Sequence, residues 1–210
     1  MIIIKESKEP LVDLKKFCPG VIIDLAKWRR KKEKTAHLRR SVAKMINKAK
    51  NSLPKGMTFI IGDAWRPQYV QEEIYQSFIK RFTRKNPAWT KSRIIKEVDK
   101  YVAPAEGKFA SGHMTGGAVD IRLIKNGRRV PMKSKRFTYQ ENALSVQPKL
   151  PKYIQGNRQT MFTALLKAGL SNYPKEYWHW SYGDIQWAQR NKKKIAIYGV
   201  IKNILKANSY

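Results

Sequence analysis

Apolar residues recur every three or four positions in several stretches of the chain. This spacing is typical of amphipathic helices, and it predicts helices over residues 38–50, 68–82, 90–103 and 157–170, with a short last helix over 200–205. Pro67 suits the start of the second helix, and Asn157 can cap the fourth, which ends near Gly169.

Shorter apolar runs predict the strands. Residues 57–61 form a continuous run typical of a buried strand, 118–124 alternates weakly, and 177–182 is aromatic and strand-like. Residues 11–25 hold two short apolar runs split by a Pro-Gly pair, which could form a strand, a turn and a second strand. The polar, basic segment 125–156 is broken by three prolines, so we expect loops with short elements that could cover a functional site.

The length of 210 residues and the hydrophobic share of 42 % allow one sizeable core. No linker divides the chain, so we expect a single domain over residues 1–210. The only cysteine, Cys18, excludes an internal disulfide framework and a Cys-rich zinc finger. The N-terminal apolar run is too short for a signal peptide, and no stretch approaches a membrane span. We therefore expect a soluble, cytoplasmic protein.

The charge balance is strongly basic, with 44 Lys and Arg against 15 Asp and Glu, a formal net charge of +29. Such a surface can contact anionic polymers: nucleic acid, anionic lipid or a cell-wall polymer. We expect no specific nucleic-acid target. Because acids are so scarce, each acidic residue is a stronger candidate for chemistry.

Candidate chemistry begins with the three histidines. His37 lies in the basic stretch 27–40, where we expect a surface role. His113 is followed by Asp120 at an odd separation, which would place the two side chains on opposite faces of a regular strand. Gly116 and Gly117 between them allow the backbone to turn, so that both can converge on one metal ion. Asp120 would then open a strand.

The third histidine, His179, follows Glu176 by three residues at the start of the aromatic strand. Two histidines and one carboxylate leave a fourth zinc position for water, as catalytic zinc sites require. Bound zinc lowers the pKa of that water to about 7 and polarises a carbonyl, and a nearby carboxylate can move the proton. Glu176 fits that role. On the residues alone, a structural histidine packed among aromatic side chains is an equally good interpretation.

Several motifs resemble those of the zinc D-alanyl-D-alanine dipeptidases associated with vancomycin resistance. This family is related to D,D-carboxypeptidases, phage endolysins and the hedgehog signalling domain. The resemblance is carried by S-x-H-x-x-G-x-A-x-D at residues 111–120, E-x-W-H at 176–179 and D-A-W-R-P at 63–67. It extends over roughly residues 11–200, in the family's order.

The resemblance implies a fold, a site and one zinc ion per chain. The fold is α+β: a central, mostly antiparallel sheet that carries the zinc site, with helices packed against it. His113, Asp120 and His179 match the zinc ligands, and Glu176 matches the general base and acid. Arg66 matches the arginine that stabilises the developing oxyanion, and Ser111 matches a position near the substrate carboxylate.

Three functions stay open. The first is a zinc peptidase that hydrolyses a short D-amino-acid peptide, most directly the D-Ala-D-Ala dipeptide. The second is a peptidoglycan D,D-carboxypeptidase or endolysin-like peptidase that acts on muropeptides, which the charge favours. The third is a non-enzymatic polyanion-binding protein on the same scaffold. The basic segment 26–35 differs from the family segment that shapes the pocket for the substrate's amine, which bears on the choice between the first two.

Overall fold

The computed structural model describes residues 1–25, 36–107 and 111–202. The strands are β1 (Ile3–Ile4), β2 (Leu11–Asp13), β3 (Ile22–Ile23), β4 (His37–Arg39), β5 (Met57–Asp63), β6 (Ala118–Lys125), β7 (Arg128–Arg129), β8 (Ser171–Tyr173), β9 (Glu176–Ser181) and β10 (Ile195–Ala196). The helices are α1 (Leu14–Phe17), α2 (Arg40–Asn51), α3 (Gln68–Lys85), α4 (Lys91–Val98), α5 (Tyr139–Ala143), α6 (Lys152–Ala168) and α7 (Ile185–Arg190). A single 3₁₀ turn, Gly112–Thr115, precedes β6.

The main sheet has the order β3-β5-β6-β9-β8, and β7 pairs with β6. Only the β3–β5 pair is parallel among these strands; the other pairs are antiparallel. The register places Asp120 of β6 directly opposite His179 of β9. The predicted α+β class with a mostly antiparallel sheet is confirmed.

The two faces of β6 lie in different surroundings, one in the core and one in a cleft. Val119, Ile121 and Leu123 point into the main core, which α2 and α6 cover from one side of the sheet. Asp120 and Arg122 alternate with them and line a cleft on the opposite face. Alternate residues of β6 therefore pack in the core and line the cleft.

Two helix boundaries differ from the sequence prediction. Helix α6 begins at Lys152 and not at Asn157. The carbonyl of Pro151 accepts the first backbone bonds, from Ile154 and Gln155, whereas the Asn157 amide donates to the Pro131 carbonyl at 2.9 Å. The proline that was interpreted as an interruption starts the helix, because its fixed φ suits that position.

Helix α4 ends at Val98 and not at residue 103. Pro104 disfavours the helical conformation at the residue before it, and the Ala103 carbonyl accepts from the side chain of Gln71.

The other three predicted helices differ less in their bounds or lie partly outside the described residues. Helices α2 and α3 shift by one to three residues at their ends, residues 200–202 are not helical, and residues 203–205 lie outside the described residues.

Residues 11–25 form a strand, a short helix and a strand. The helix α1 was not predicted. Asp13 starts it, because its carboxylate accepts from the backbone N–H of Lys15 at 2.9 Å. Within 125–156, the structure has the short β7 and α5, as expected for loops with short elements, together with the start of α6.

Helices α3 and α4 form a hairpin with its own small apolar cluster. The buried residues of this cluster are Ile94, Val98 and Val102, against which side chains of α3 such as Phe78 and Phe82 pack. The cluster is separate from the main core. None of the helices in the described ranges combines the length and the apolar character that crossing a bilayer requires.

Candidate active site

Three side chains converge at the floor of the cleft. His113 Nε2 lies 3.1 Å from His179 Nδ1 and 3.3 Å from Asp120 Oδ1, and His179 Nδ1 lies 3.2 Å from the same carboxylate oxygen. The three atoms form a nearly equilateral triangle. The structure thus brings together the three residues predicted as metal ligands.

This spacing fits a tetrahedral zinc ion. Two ligand atoms about 2.1 Å from a tetrahedral zinc lie about 3.4 Å from each other, close to the three distances between these donors. The His113 Nδ1 lies 3.0 Å from the Ala64 carbonyl; a carbonyl only accepts, so Nδ1 carries the ring proton. The Nε2 lone pair of His113 is therefore free to bind a cation, and the carbonyl fixes the ring as in many zinc sites.

A turn between His113 and Asp120 produces this convergence. His113 lies in the 3₁₀ turn, Gly116 follows with φ 70°, and β6 begins at Ala118. A non-glycine residue would be strained at that φ, and a Cβ on Gly116 would lie 2.5 Å from Leu11. The predicted turn is confirmed, with one correction: Asp120 is the third residue of β6 and does not open it.

Glu176 and His179 are an odd number of residues apart, so a regular strand would place their side chains on opposite faces. A bulge in β9 changes this arrangement. On β8, Tyr173 pairs with Glu176 while the adjacent Asn172 pairs with Trp180, so residues 177–179 of β9 have no partner of their own on β8. The amide nitrogen of Asn172 donates across this bulge to the carbonyls of Glu176, Tyr177 and His179, at 3.1, 3.3 and 3.0 Å. The bulge places both Glu176 and His179 in the cleft. The sequence analysis missed Asn172.

Asn172 is itself held in place. Its Oδ1 accepts a hydrogen bond from the hydroxyl of Ser145, which also contacts the Tyr173 carbonyl at 2.9 Å. We expect Asn172→Ala to lower the rate of hydrolysis at least about tenfold, because losing these bonds costs about 1–3 kcal/mol and frees the bulge to relax. Kinetics at saturating zinc would test this, with Asn157→Ala as the matched control.

In that comparison, Asn157 is a suitable control because its amide donates to the Pro131 carbonyl and not to a residue of the bulge. We expect its kinetics to match the unmodified protein. Equal activity of the two variants would show that the bulge keeps its shape without Asn172.

Electrostatics distinguish the two carboxylates of the site. Burial alone would raise the pKa of Asp120, but the two histidine rings outweigh it and hold that pKa well below its usual range. Burial raises the pKa of Glu176, and the nearby Asp120 charge adds to the increase, against the opposing effects of His179 and Arg66. The surroundings thus favour the ionised form of one carboxylate and the protonated form of the other.

Glu176 lies beside the three donors without joining them. Its Oε2 is 4.0 Å from His179 Nδ1, and 32 % of its side chain remains exposed to the cleft. A carboxylate at this distance can contact a water molecule or substrate atom next to the metal position. This is the placement predicted for the acid/base residue.

Arg66 is fixed at the edge of the same cleft. Its guanidinium donates to the Asp63 carboxylate and to the side-chain oxygen of Gln71, and its backbone N–H donates to the His113 carbonyl at 3.0 Å. A guanidinium held in this way keeps its position when charge develops in the cleft. Ser111, the other predicted substrate contact, is buried and lines the cleft beside Gly112.

The cleft has a volume of ≈ 890 Å³. Besides the predicted site residues, its walls include Trp178, the tryptophan of the E-x-W-H motif, and also Arg122, Tyr139 and Tyr173, which no motif had indicated. Burial raises the pKa of Tyr139 and of Tyr173, and the Glu176 charge adds to both. Tyr139 comes from the 125–156 segment, which supports the expectation that this segment borders the site.

Gly112 allows the 3₁₀ turn to approach α7 closely. A Cβ there would lie 2.5 Å from Asp184 Oδ2 and 3.2 Å from the Ala118 methyl group. We expect Gly112→Ala to destabilise the fold by about 1–3 kcal/mol and to weaken zinc binding, because the turn that carries His113 must shift. Thermal unfolding with and without zinc would measure both effects.

A second glycine gives a matched control for that substitution. Gly156 lies within α6, where a Cβ would meet nothing within 4 Å, so we expect Gly156→Ala to raise stability by about 0.5–1 kcal/mol. If Gly112→Ala also stabilised the protein, the close approach to Asp184 would not be a constraint.

Comparisons with known proteins agree with this site. Residues 22–197 match the peptidase M15 family described as D-ala-D-ala dipeptidase. None of the curated proteins is significantly similar to the chain in sequence.

Three solved structures are similar at low identity. A Zn(II) complex of a variant of VanY, the vancomycin-resistance D,D-pentapeptidase of a VanB-type cassette, shares 15 % identity, covers 90 % of both chains and has a TM-score of 0.49. VanYB in complex with D-alanine-D-alanine shares 16 %, covers 90 % of this chain and 89 % of the other, and also has a TM-score of 0.49. The LdcB LD-carboxypeptidase shares 19 %, covers 90 % and 75 %, and has a TM-score of 0.44.

The family match carries the assignment. It spans most of the chain and includes every residue that converges in the cleft: Arg66, Ser111, His113, Asp120, Glu176 and His179. The chain belongs to the M15 peptidases, in the family described as D-ala-D-ala dipeptidase.

Proposed function

We propose that the chain is a zinc-dependent peptidase that hydrolyses the peptide bond of D-Ala-D-Ala, most directly as the free dipeptide. The observation that carries this proposal is the triangle of His113, Asp120 and His179 donors, with edges of 3.1–3.3 Å, beside a carboxylate that is not part of it. Zinc is the metal that this mixture of imidazole and carboxylate ligands suits in hydrolytic sites.

Zinc held by these three residues would polarise the scissile carbonyl and acidify a water molecule. Glu176 would accept the proton of the attacking water and donate it to the leaving amine, so one residue serves as base and then as acid. Its raised pKa supports this role, because a carboxylate must hold the proton between the two steps.

Arg66 would donate to the oxygen that becomes negatively charged as the carbonyl is attacked. Its anchoring by Asp63 and Gln71 supports this proposal, since a positioned donor needs no reorganisation during the reaction. We place the substrate carboxylate near Ser111, which lines the cleft on the side of the 3₁₀ turn.

A second candidate substrate is a muropeptide that ends in D-Ala-D-Ala, cleaved by the same residues as a D,D-carboxypeptidase. The cleft volume of ≈ 890 Å³ favours it, because such volumes are near the upper end for clefts that hold drug-sized ligands. A dipeptide of two alanines would fill only part of this space. The basic segment 26–35, which bears on this choice, lies outside the described residues.

A substrate panel tests the proposal. We would measure release of D-alanine by the zinc-loaded protein from D-Ala-D-Ala, from a stem pentapeptide ending in D-Ala-D-Ala, and from L-Ala-L-Ala as the stereochemical control. We expect the highest kcat/KM on the free dipeptide and none on the L,L form. A strong preference for the pentapeptide would establish the second candidate instead, and no release from either D,D substrate would overturn the proposed function.

A further inference from the structure

The loop end of the α3–α4 hairpin carries a dense positive charge. We call residues 80–96 the basic tip; it contains seven Lys or Arg and no Asp or Glu. Its basic residues are Lys80, Arg81, Arg84, Lys85, Lys91, Arg93 and Lys96, and all seven are exposed. Seven of the 29 net positive charges thus lie in seventeen residues at one end of one hairpin.

The charge of the basic tip is not neutralised by the fold. None of its seven cations forms an ion pair with a carboxylate in the described part of the chain; the nearest ion pair along the hairpin joins Lys100 to Glu97, beyond the tip. Unpaired cations at this density attract a polyanion strongly.

Aromatic rings hold two of the guanidinium groups of the tip in fixed positions. Arg81 Cζ lies 4.4 Å from the centre of the Phe78 ring and 5.7 Å from that of Phe82, and Arg93 Cζ lies 4.2 Å from that of Trp89. A guanidinium stacked on a ring keeps its N–H edges available for phosphate oxygens. The tip is therefore a preorganised surface for phosphate groups.

The aromatic rings of the basic tip already pack against other side chains, and this limits the kind of polyanion that the tip can bind. Trp89 is stacked against Arg93, while Phe78 and Phe82 pack in the hairpin cluster and lie 6.4 and 5.5 Å from the Tyr101 ring. Binding of single-stranded nucleic acid relies on free aromatic faces for base stacking. The tip offers charge without such faces, which disfavours single-stranded nucleic acid as its partner.

The basic tip is continuous with the catalytic cleft. Ile74 and Phe78 of α3 line the cleft, and Phe78 is also the ring on which Arg81 stacks. A polymer bound at the tip would therefore lie beside the cleft entrance on the same helix. Such a polymer would place the enzyme next to peptide substrates attached to the same material.

From these observations we propose that the basic tip docks the protein on a polyol-phosphate polymer of the bacterial cell wall. The choice of this partner rests on the second candidate substrate of the proposed function, a muropeptide, which belongs to wall material; the phosphate-binding surface itself rests on the charges and ring contacts of the hairpin.

The experiment uses the full chain and two variants that each lose four positive charges. The tip variant carries Lys80→Gln, Arg84→Gln, Lys85→Gln and Lys91→Gln, which leaves the stacked arginines in place. The control variant carries Lys44→Gln, Lys48→Gln, Lys152→Gln and Lys167→Gln, exposed lysines of α2 and α6. Cosedimentation with purified walls would be measured before and after chemical removal of the wall phosphate polymer, in the presence of a zinc chelator.

We expect the tip variant to bind polymer-bearing walls at least about tenfold more weakly at physiological salt, and the control variant to change less than about twofold. Binding to stripped walls should be weak for all three proteins. Equal losses in the two variants would show that net charge alone is responsible, and equal binding to stripped walls would exclude the polymer. Tighter, tip-dependent binding of DNA than of the wall polymer would also overturn the proposal.

Hydrolysis of free D-Ala-D-Ala separates this proposal from the proposed function. The tip variant should keep the rate of the unmodified protein, because none of its four substituted residues lines the cleft. A protein that binds walls through the tip but hydrolyses no D,D substrate would refute the peptidase proposal alone. An active peptidase without tip-dependent binding would refute the docking proposal alone.

Discussion

Glu176→Gln should lower hydrolysis by about 10²–10⁴-fold while the protein still binds one zinc per chain. The expected loss is the usual contribution of a positioned acid/base residue. Glutamine keeps the shape of the side chain but cannot accept the proton. Zinc should stay bound, because the Glu176 carboxylate lies 4.0 Å from His179 Nδ1 and outside the triangle of donors.

Single-turnover kinetics and zinc content, measured on the same preparation, would test this. Glu72→Gln serves as the control, since Glu72 is exposed on α3, accepts a hydrogen bond from Gln76 and does not line the cleft. If the rate were unchanged in Glu176→Gln, another group would have to move the proton. Loss of zinc in this variant would instead make Glu176 a ligand.

Asp120→Ala should remove both zinc binding and hydrolysis. The carboxylate oxygen lies within 3.3 Å of both histidine donors, and two histidines alone bind zinc too weakly to keep it at ordinary concentrations. Without the negative charge, the two imidazoles also lose the partner that stabilises a bound cation. We expect the zinc affinity to fall by at least about a hundredfold.

Thermal unfolding gives a direct measurement. Zinc at a thousand times its Kd should stabilise the unmodified protein by about 4 kcal/mol, and the same zinc concentration should stabilise Asp120→Ala by about 1.4 kcal/mol or less. Asp99→Asn is the matched control, because Asp99 also lines the cleft but bonds Tyr75 and lies outside the donor triangle. A zinc-dependent increase in Tm that is as large in Asp120→Ala as in the unmodified protein would contradict the proposed ligand set.

The sequence predicted those site features that depend on residue type and short-range geometry. Two glycines between His113 and Asp120 indicated that the backbone could turn, and the structure has that turn at Gly116. Glu176 and His179 are also separated by an odd number of residues. Both side chains face the cleft because Asn172, on a neighbouring strand, holds a bulge between them. A contact between strands leaves no local pattern, so Asn172 could not be identified from the sequence.

The errors in the fold have a related origin. Pro151 was interpreted as one of three prolines that break the polar segment 125–156, yet proline is compatible with the start of a helix and α6 begins directly after it. Helix α4 ends at Val98, whose carbonyl accepts from the backbone N–H groups of Tyr101 and Val102 in the turn that follows, and apolar periodicity does not reveal such a turn. The position of Tyr139 in the cleft follows from packing against Trp178, with ring centres 5.9 Å apart.

The most direct test of the central claim is a titration of the metal-free protein with zinc, followed by release of D-alanine from D-Ala-D-Ala. The three-donor site predicts that activity is absent after chelation, rises in proportion to added zinc and reaches its maximum at one zinc per chain. Activity that persists without metal, or a maximum that requires a second zinc ion, would contradict a single catalytic zinc held by His113, Asp120 and His179.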